Sequence, residues 1–102
     1  MTEHVNSITL TDLCRIEGIR RDAVTAIVEY GIVKPQGNVT QEWLFESGSV
    51  YWIKKATRLQ MDLELDWLAV AMVIDLLKQK DALEAENQRI NRLLQRFMND
   101  ME

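Results

Sequence analysis

The sequence predicts a mainly helical protein. A winged helix-turn-helix head over residues 1–65 is followed by a long helix over 66–102 with a coiled-coil seam. Three observations predict it. Two short apolar-striped stretches, 12–17 and 21–29, each end at a glycine, Gly18 and Gly31. No Gly or Pro follows residue 49, which favours long uninterrupted helices. The final stretch repeats apolar residues every seven positions, the period of an interhelical seam.

Residues 5–9 (VNSIT) alternate as a short strand would. Thr11 is the expected N-cap of the first helix, which should bury Leu13, Cys14 and Ile16. The second helix puts Ala23, Val24, Ile27 and Val28 on one stripe. Gly31 stands where a left-handed residue closes a helix, Ile32 should pack back on that end, and Lys34-Pro35 prevents continuation. Residues 36–45 (QGNVTQEWLF) read as a wing, with a turn at Gly37-Asn38 and Trp43 and Phe45 on one face of a strand. Ser47 or Ser49 can cap a third helix over 50–63 whose apolar face is Trp52, Ala56, Leu59 and Leu63. Asp66 then caps the long helix that begins at Trp67. Trp43 and Trp52 are assigned to the core, and Trp67, next to an acidic stretch, to a partner contact.

On that helix Leu76, Leu83, Ile90 and Phe97 form one ladder, and Val73, Lys80, Asn87, Leu94 and Met101 its companion. Lys80 and Asn87 are polar interruptions of the kind that cost stability but restrict register. A helix of this length is unstable by itself, so the seam needs a partner, and the strict seven-residue repeat favours a second copy of the chain. A homodimer is therefore expected, with Val73, Leu76, Lys80, Leu83, Asn87, Ile90, Leu94 and Phe97 as its seam.

Charge narrows the function. The formal net charge is −4, and the first 66 residues carry seven basic against ten acidic groups. A DNA reader draws most of its affinity from cations that neutralise phosphates, so this head has a reader's outline without its charge. The one cysteine, Cys14, excludes an internal disulfide and fits a reducing cytoplasm. No signal peptide is read at the N-terminus, and LAVAMVI at 68–74 is too short to span a bilayer, so no membrane role is expected. The chain's only His and Cys, His4 and Cys14, read as a tail residue and a core thiol rather than a catalytic pair. With no metal-ligand spacing and no phosphate loop, neither an enzyme nor a cofactor is expected. The acidic residues Asp62, Glu64, Asp66, Asp75, Asp81, Glu84 and Glu86 run from the helix junction along the last helix, as a solubilising face or as a dock for a basic partner. Lys54, Lys55 and Arg58 cluster on the third helix, where Arg58 can pair with Asp62.

Several stretches in order carry a family resemblance: ITLTDLCRIEGI at 8–19, IVEYGIVKP at 27–35, WLF at 43–45, ATRLQMDLELDW at 56–67 and LEAENQRINRLLQRF at 83–97. Together they resemble the CbpM family of chaperone modulatory proteins, in the MerR-like winged-helix group. The resemblance covers nearly the whole chain and is most distinctive at DLELDW. It implies binding to the J-domain of a DnaJ-like co-chaperone of the CbpA type, and inhibition of its co-chaperone activity and DNA association. A J-domain presents a basic helix to Hsp70, so an acidic protein covering it would compete. The expected contacts, chosen on charge and exposure, are Asp62, Glu64, Asp66, Trp67, Asp75, Asp81, Glu84 and Glu86. The rival expectation is a MerR-like transcription regulator using Arg20, Arg21, Lys54 and Lys55 on DNA. A purely structural oligomerisation module is the third.

Overall fold

The computed structural model describes residues 6–101. Val5 of the expected strand, the tail residue His4 and the C-terminal Glu102 lie outside the described residues. The elements run β1 (Ser7–Thr9), α1 (Leu10–Glu17), α2 (Arg21–Glu29), a 3-10 turn (Thr40–Glu42), β2 (Leu44–Glu46), α3 (Ser47–Leu63) and α4 (Trp67–Asp100). The architecture is the expected one: a small, mainly helical head with a two-stranded sheet, and a long C-terminal helix.

Helix α1 starts earlier than predicted, and Thr9, not Thr11, caps it. The Thr9 Oγ1 accepts the Asp12 N–H at 3.1 Å from an extended backbone, whereas Thr11 is already helical. The shift brings Leu10 into the core beside Leu13 and leaves Cys14 half-buried against it. Ile16, expected inside, is 59% exposed. At helical spacing it stands about 110° from the middle of the arc that Leu10, Leu13 and Cys14 occupy. Gly18 closes the helix at φ 69° and donates to the Cys14 carbonyl at 3.0 Å.

Helix α2 buries Ala23, Val24 and Ile27, with Val28 half-buried, as the sequence predicts. Its end is a Schellman closure: Ile32 N–H donates to the Ile27 carbonyl and Gly31 N–H to the Val28 carbonyl, both at 3.0 Å, with Gly31 at φ 75°. Ile32 packs back into the core as expected, and Val33 joins it.

In the wing, Gln36 and Leu44 exchange a pair of 3.0 Å backbone bonds. The segment between them returns tightly at Gly37, at φ 106°, where a Cβ would lie 2.7 Å from the Glu42 carbonyl oxygen. β2 pairs antiparallel with β1, Ile8 opposite Phe45, so the wing is stitched to the strand that precedes α1. Phe45 is fully buried, and Trp43, in the extended residue before β2, meets its ring edge-on at 6.1 Å.

Helix α3 follows β2 directly, so it starts at Ser47 and neither Ser47 nor Ser49 caps it. The cap position is Glu46, without a side-chain cap bond. Ile53 and Ala56 are its buried residues, and Trp52 and Leu59 pack half-buried against the same core. Leu63, predicted on this face, is exposed because, as the last residue of α3, it extends past the edge of the core.

Asp66 caps α4 as predicted, its Oδ1 accepting the Ala69 N–H at 2.8 Å. Val70 and Ile74 are buried, and Trp67, Ala71 and Leu77 pack around them. Lys78 Nζ then donates to the Ile32 carbonyl at 2.8 Å and lies 5.4 Å from the Trp52 ring centre, fastening α4 to the end of α2. Beyond Lys78 every described residue of α4 is exposed. That distal part projects roughly 34 Å past the head, which gives the molecule its 59 × 40 × 22 Å extents.

Truncating Ile74 to Ala should lower the unfolding free energy by about 2–5 kcal/mol, read from urea melts at one protein concentration. Gly37→Ala should cost more than about 1 kcal/mol from its left-handed backbone and its clash with Glu42.

Candidate partner-binding surfaces

The head and α4 meet at an elbow only three residues long. Leu63 ends α3, Glu64 takes a left-handed conformation (φ 52°, ψ 40°), Leu65 tucks half-buried against the core, and Asp66 caps α4. Glu64 is the one non-glycine residue at positive φ among the described residues. This geometry follows from local sequence: the cap at Asp66 demands extended backbone, and the reversal before it must be completed in two residues.

The elbow gathers three of the seven predicted acidic contacts. Asp62, Glu64 and Asp66 are exposed, and none forms an ion pair among the described residues. The other four do not join them. Asp75 accepts from Gln79 Nε2 at 2.8 Å, Glu84 pairs with Lys80 at 3.1 Å, and Glu86 takes Arg89 through both carboxylate oxygens. The bond to Glu86 raises the Arg89 pKa above its ordinary value, outweighing slight desolvation. Asp81 follows Ile74 by seven residues, so it continues the inner stripe of α4, while Glu86 lies on the outer side. The sequence-predicted acidic set is thus one compact cluster plus dispersed, mostly paired residues.

Beside the cluster is a groove of about 400 Å³ between the α1–α2 turn and the elbow. Trp67 and Met61 line it, with Ile19 and Arg20 from the turn and Gln60 from α3. Trp67 is half-buried: it packs against the core while also facing this groove. Met61, 68% exposed, was assigned to no face by the sequence reading. The available signal was an apolar residue between Gln60 and Asp62 that fits neither the buried stripe nor the charged face.

The second surface is the outer side of α4. Leu76, Leu83, Ile90, Leu94 and Phe97 are exposed. Asn87 is also exposed, and Lys80 is occupied by Glu84. Val73 is half-buried. Leu68 and Met72, outside the predicted seam, are 60% and 63% exposed and precede Leu76 at four-residue steps. The first turns of α4 are therefore apolar on both sides: Trp67, Val70 and Ile74 inward, Leu68, Met72 and Leu76 outward.

The candidate DNA-contacting cations are largely engaged within the molecule. Arg20 binds both oxygens of Asp22 at 3.1 and 3.2 Å, Arg21 reaches the Thr11 hydroxyl at 3.3 Å, and Lys54 pairs with Glu17 at 3.2 Å. Lys55 lies over the Tyr51 ring, 5.7 Å from its centre. The anticipated Arg58–Asp62 pair is not formed. Among the described residues no group of His, Cys, Asp and Glu could hold a metal, and no helix is long and apolar enough to cross a membrane.

Comparison with known proteins agrees with this architecture. The family described as MerR HTH family regulatory protein matches residues 8–92. A chaperone modulatory protein CbpM from Pseudomonas putida is 37% identical over 90 residues, covering 88% of this chain and 89% of the relative. Its counterpart in Pseudomonas entomophila is 36% identical over the same shares. That of Citrobacter koseri is 34% identical over 92 residues, 90% of this chain and 91% of the relative.

Replacing Glu64 by Gly should raise stability by about 0.5–1 kcal/mol, because glycine takes the left-handed conformation without a Cβ penalty. Thermal melting at fixed concentration checks this.

Proposed function

The chain belongs to the MerR-type helix-turn-helix family, as one of its CbpM chaperone modulatory proteins, and we propose that it inhibits a DnaJ-like co-chaperone of the CbpA type by covering the basic face that the J-domain offers to Hsp70. Covering that domain would reduce both the co-chaperone activity and the DNA association of the partner. The observation that carries this reading is the elbow. Three carboxylates without counter-charges among the described residues, Asp62, Glu64 and Asp66, lie in the chain between Met61 and Trp67, two side chains that line a groove. A basic amphipathic helix fits such a surface. Its apolar side finds an aromatic and a methionine that adapts its shape, and its cations find carboxylates that steer the approach. Asp75, Asp81, Glu84 and Glu86 extend the negative field along α4 and act in encounter more than in contact.

Self-association completes the proposal. A second copy would cover the outer stripe of α4 through Leu76, Leu83, Ile90, Leu94 and Phe97, with Lys80 and Asn87 restricting the register. The rival reading, direct DNA binding, has the helix-turn-helix in its favour and the internal pairing of Arg20 and Lys54 against it.

Titration calorimetry of the purified protein with the cognate J-domain should show binding that weakens as salt is raised. The D62N/E64Q variant should bind roughly tenfold more weakly. Absence of heat at either salt sinks the J-domain reading, and salt-independent binding sinks its electrostatic part. In sedimentation, Leu83→Glu should convert a dimer to monomers, because one seam charge per chain would be buried twice without a partner. A gel shift at low salt should show no retardation of duplex DNA.

A further inference from the structure

The acidic elbow is not the only unpartnered surface of the head. The face of α3 turned away from the core borders an open space of about 670 Å³, and the J-domain reading uses this face only at Asp62. Its apolar lining is Val50, Tyr51, Leu59 and Leu63, and Lys54, Lys55 and Arg58 stand among these residues. Tyr51 is 53% exposed and Leu63 59%, a large apolar presentation for one helix side. In a chain of net charge −4, this local sign is the reverse of the whole.

We propose that the α3 groove is a second docking surface, and that it takes an acidic amphipathic helix of a partner protein. Charge complementarity selects the occupant. Neither Arg58 nor Lys55 has a carboxylate partner among the described residues, and Lys55 lies over the Tyr51 ring. Both therefore gain from carboxylates placed opposite them. Shape selects a helix. The lining residues recur at three- and four-residue steps from Ser47 to Leu63, a run of about 24 Å, which matches a helix of about 16 residues laid along it. Apolar character argues against nucleic acid. A phosphate backbone rewards free cations, whereas here Lys54 is spent on Glu17 and Asp62 closes one end of the groove. The surface meets the elbow only at Asp62 and Leu63, so the head would hold partners of opposite charge on different sides.

The test uses the full chain and a synthetic amphipathic helical peptide of about 16 residues with Leu on one face and Glu on the other, next to a sibling with Lys in place of Glu. Fluorescence anisotropy should show saturable binding of the Glu peptide, and amide shifts should concentrate on α3 around Tyr51, Lys55 and Arg58. The K55E/R58E variant should lose roughly tenfold in affinity for the Glu peptide and gain for the Lys peptide. Tyr51→Ala should weaken the Glu peptide without altering the fold, as judged by circular dichroism. No binding of the Glu peptide, or binding unchanged in K55E/R58E, overturns the proposal. A duplex DNA that displaces the peptide also overturns it. So does a change of oligomeric state in K55E/R58E, since that assigns the groove to a second copy. J-domain binding through the elbow should not weaken in K55E/R58E, since the added negative charge favours a basic partner, and this separates the proposal from the failure of that one.

Discussion

Everything distinctive about this molecule depends on how the first three turns of α4 seat on the head. Val70 and Ile74 are buried there, each worth about 1.5–3 kcal/mol, and Lys78 adds a bond to the Ile32 carbonyl just past α2 and a contact with Trp52. Those contacts fix the direction in which the helix leaves. They turn Leu68, Met72 and Leu76 outward, and they hold the elbow in the tight path that strains Glu64 and displays Asp62 and Asp66. Without the seating, the exposed distal helix would have no nucleus, because a free helix of that length is barely stable in water.

The charge distribution follows a similar logic. A helix-turn-helix head with seven basic and ten acidic groups could have been a weak DNA reader. In the folded chain three of these seven cations are ion-paired among the described residues, Arg15 to Asp12, Arg20 to Asp22 and Lys54 to Glu17, and Arg21 meets the Thr11 hydroxyl. Such exposed pairs add little stability, and each sets a carboxylate beside a cation, which weakens the local attraction for a phosphate backbone. What is left unpaired is informative. Carboxylates remain at the elbow and cations on the outer side of α3, so one helix separates two surfaces of opposite sign. The relatives carry the description chaperone modulatory protein, and this chain shares their family.

Local stereochemistry was legible in the sequence wherever a residue type answers to one backbone state. Gly31 closing α2, Ile32 packing back, Asp66 capping α4 and Gly18 ending α1 all follow from the demands of helix ends. The misreadings share one cause. Thr9 displaced Thr11, and α3 began at Ser47 rather than beyond Ser49, because strand pairing between Ile8 and Phe45 sets where extended backbone stops and helix starts. That pairing joins residues far apart in sequence, and no local window contains it. Ile16 and Leu63 were misplaced for a related reason: each lies near a helix end where apolar spacing does not say how far the core reaches.

The candidate site divides along the same line. Seven carboxylates and a tryptophan could be named from sequence, but which of them stay unpaired at the elbow and which are engaged along α4 could not. The sequence by itself determined the helix types, the cap at Asp66, the closures at Gly18 and Gly31, the seven-residue repeat and the family, because these rest on near-neighbour sterics and periodicity. The tertiary structure alone decided which sides of α3 and α4 stay open, that Met61, Leu68 and Met72 are presented while Val73 is half-buried, and that two surfaces of opposite charge face different directions. Exposure is a property of what packs against a residue. In this chain the core joins residues as far apart in sequence as Leu10 and Ile74.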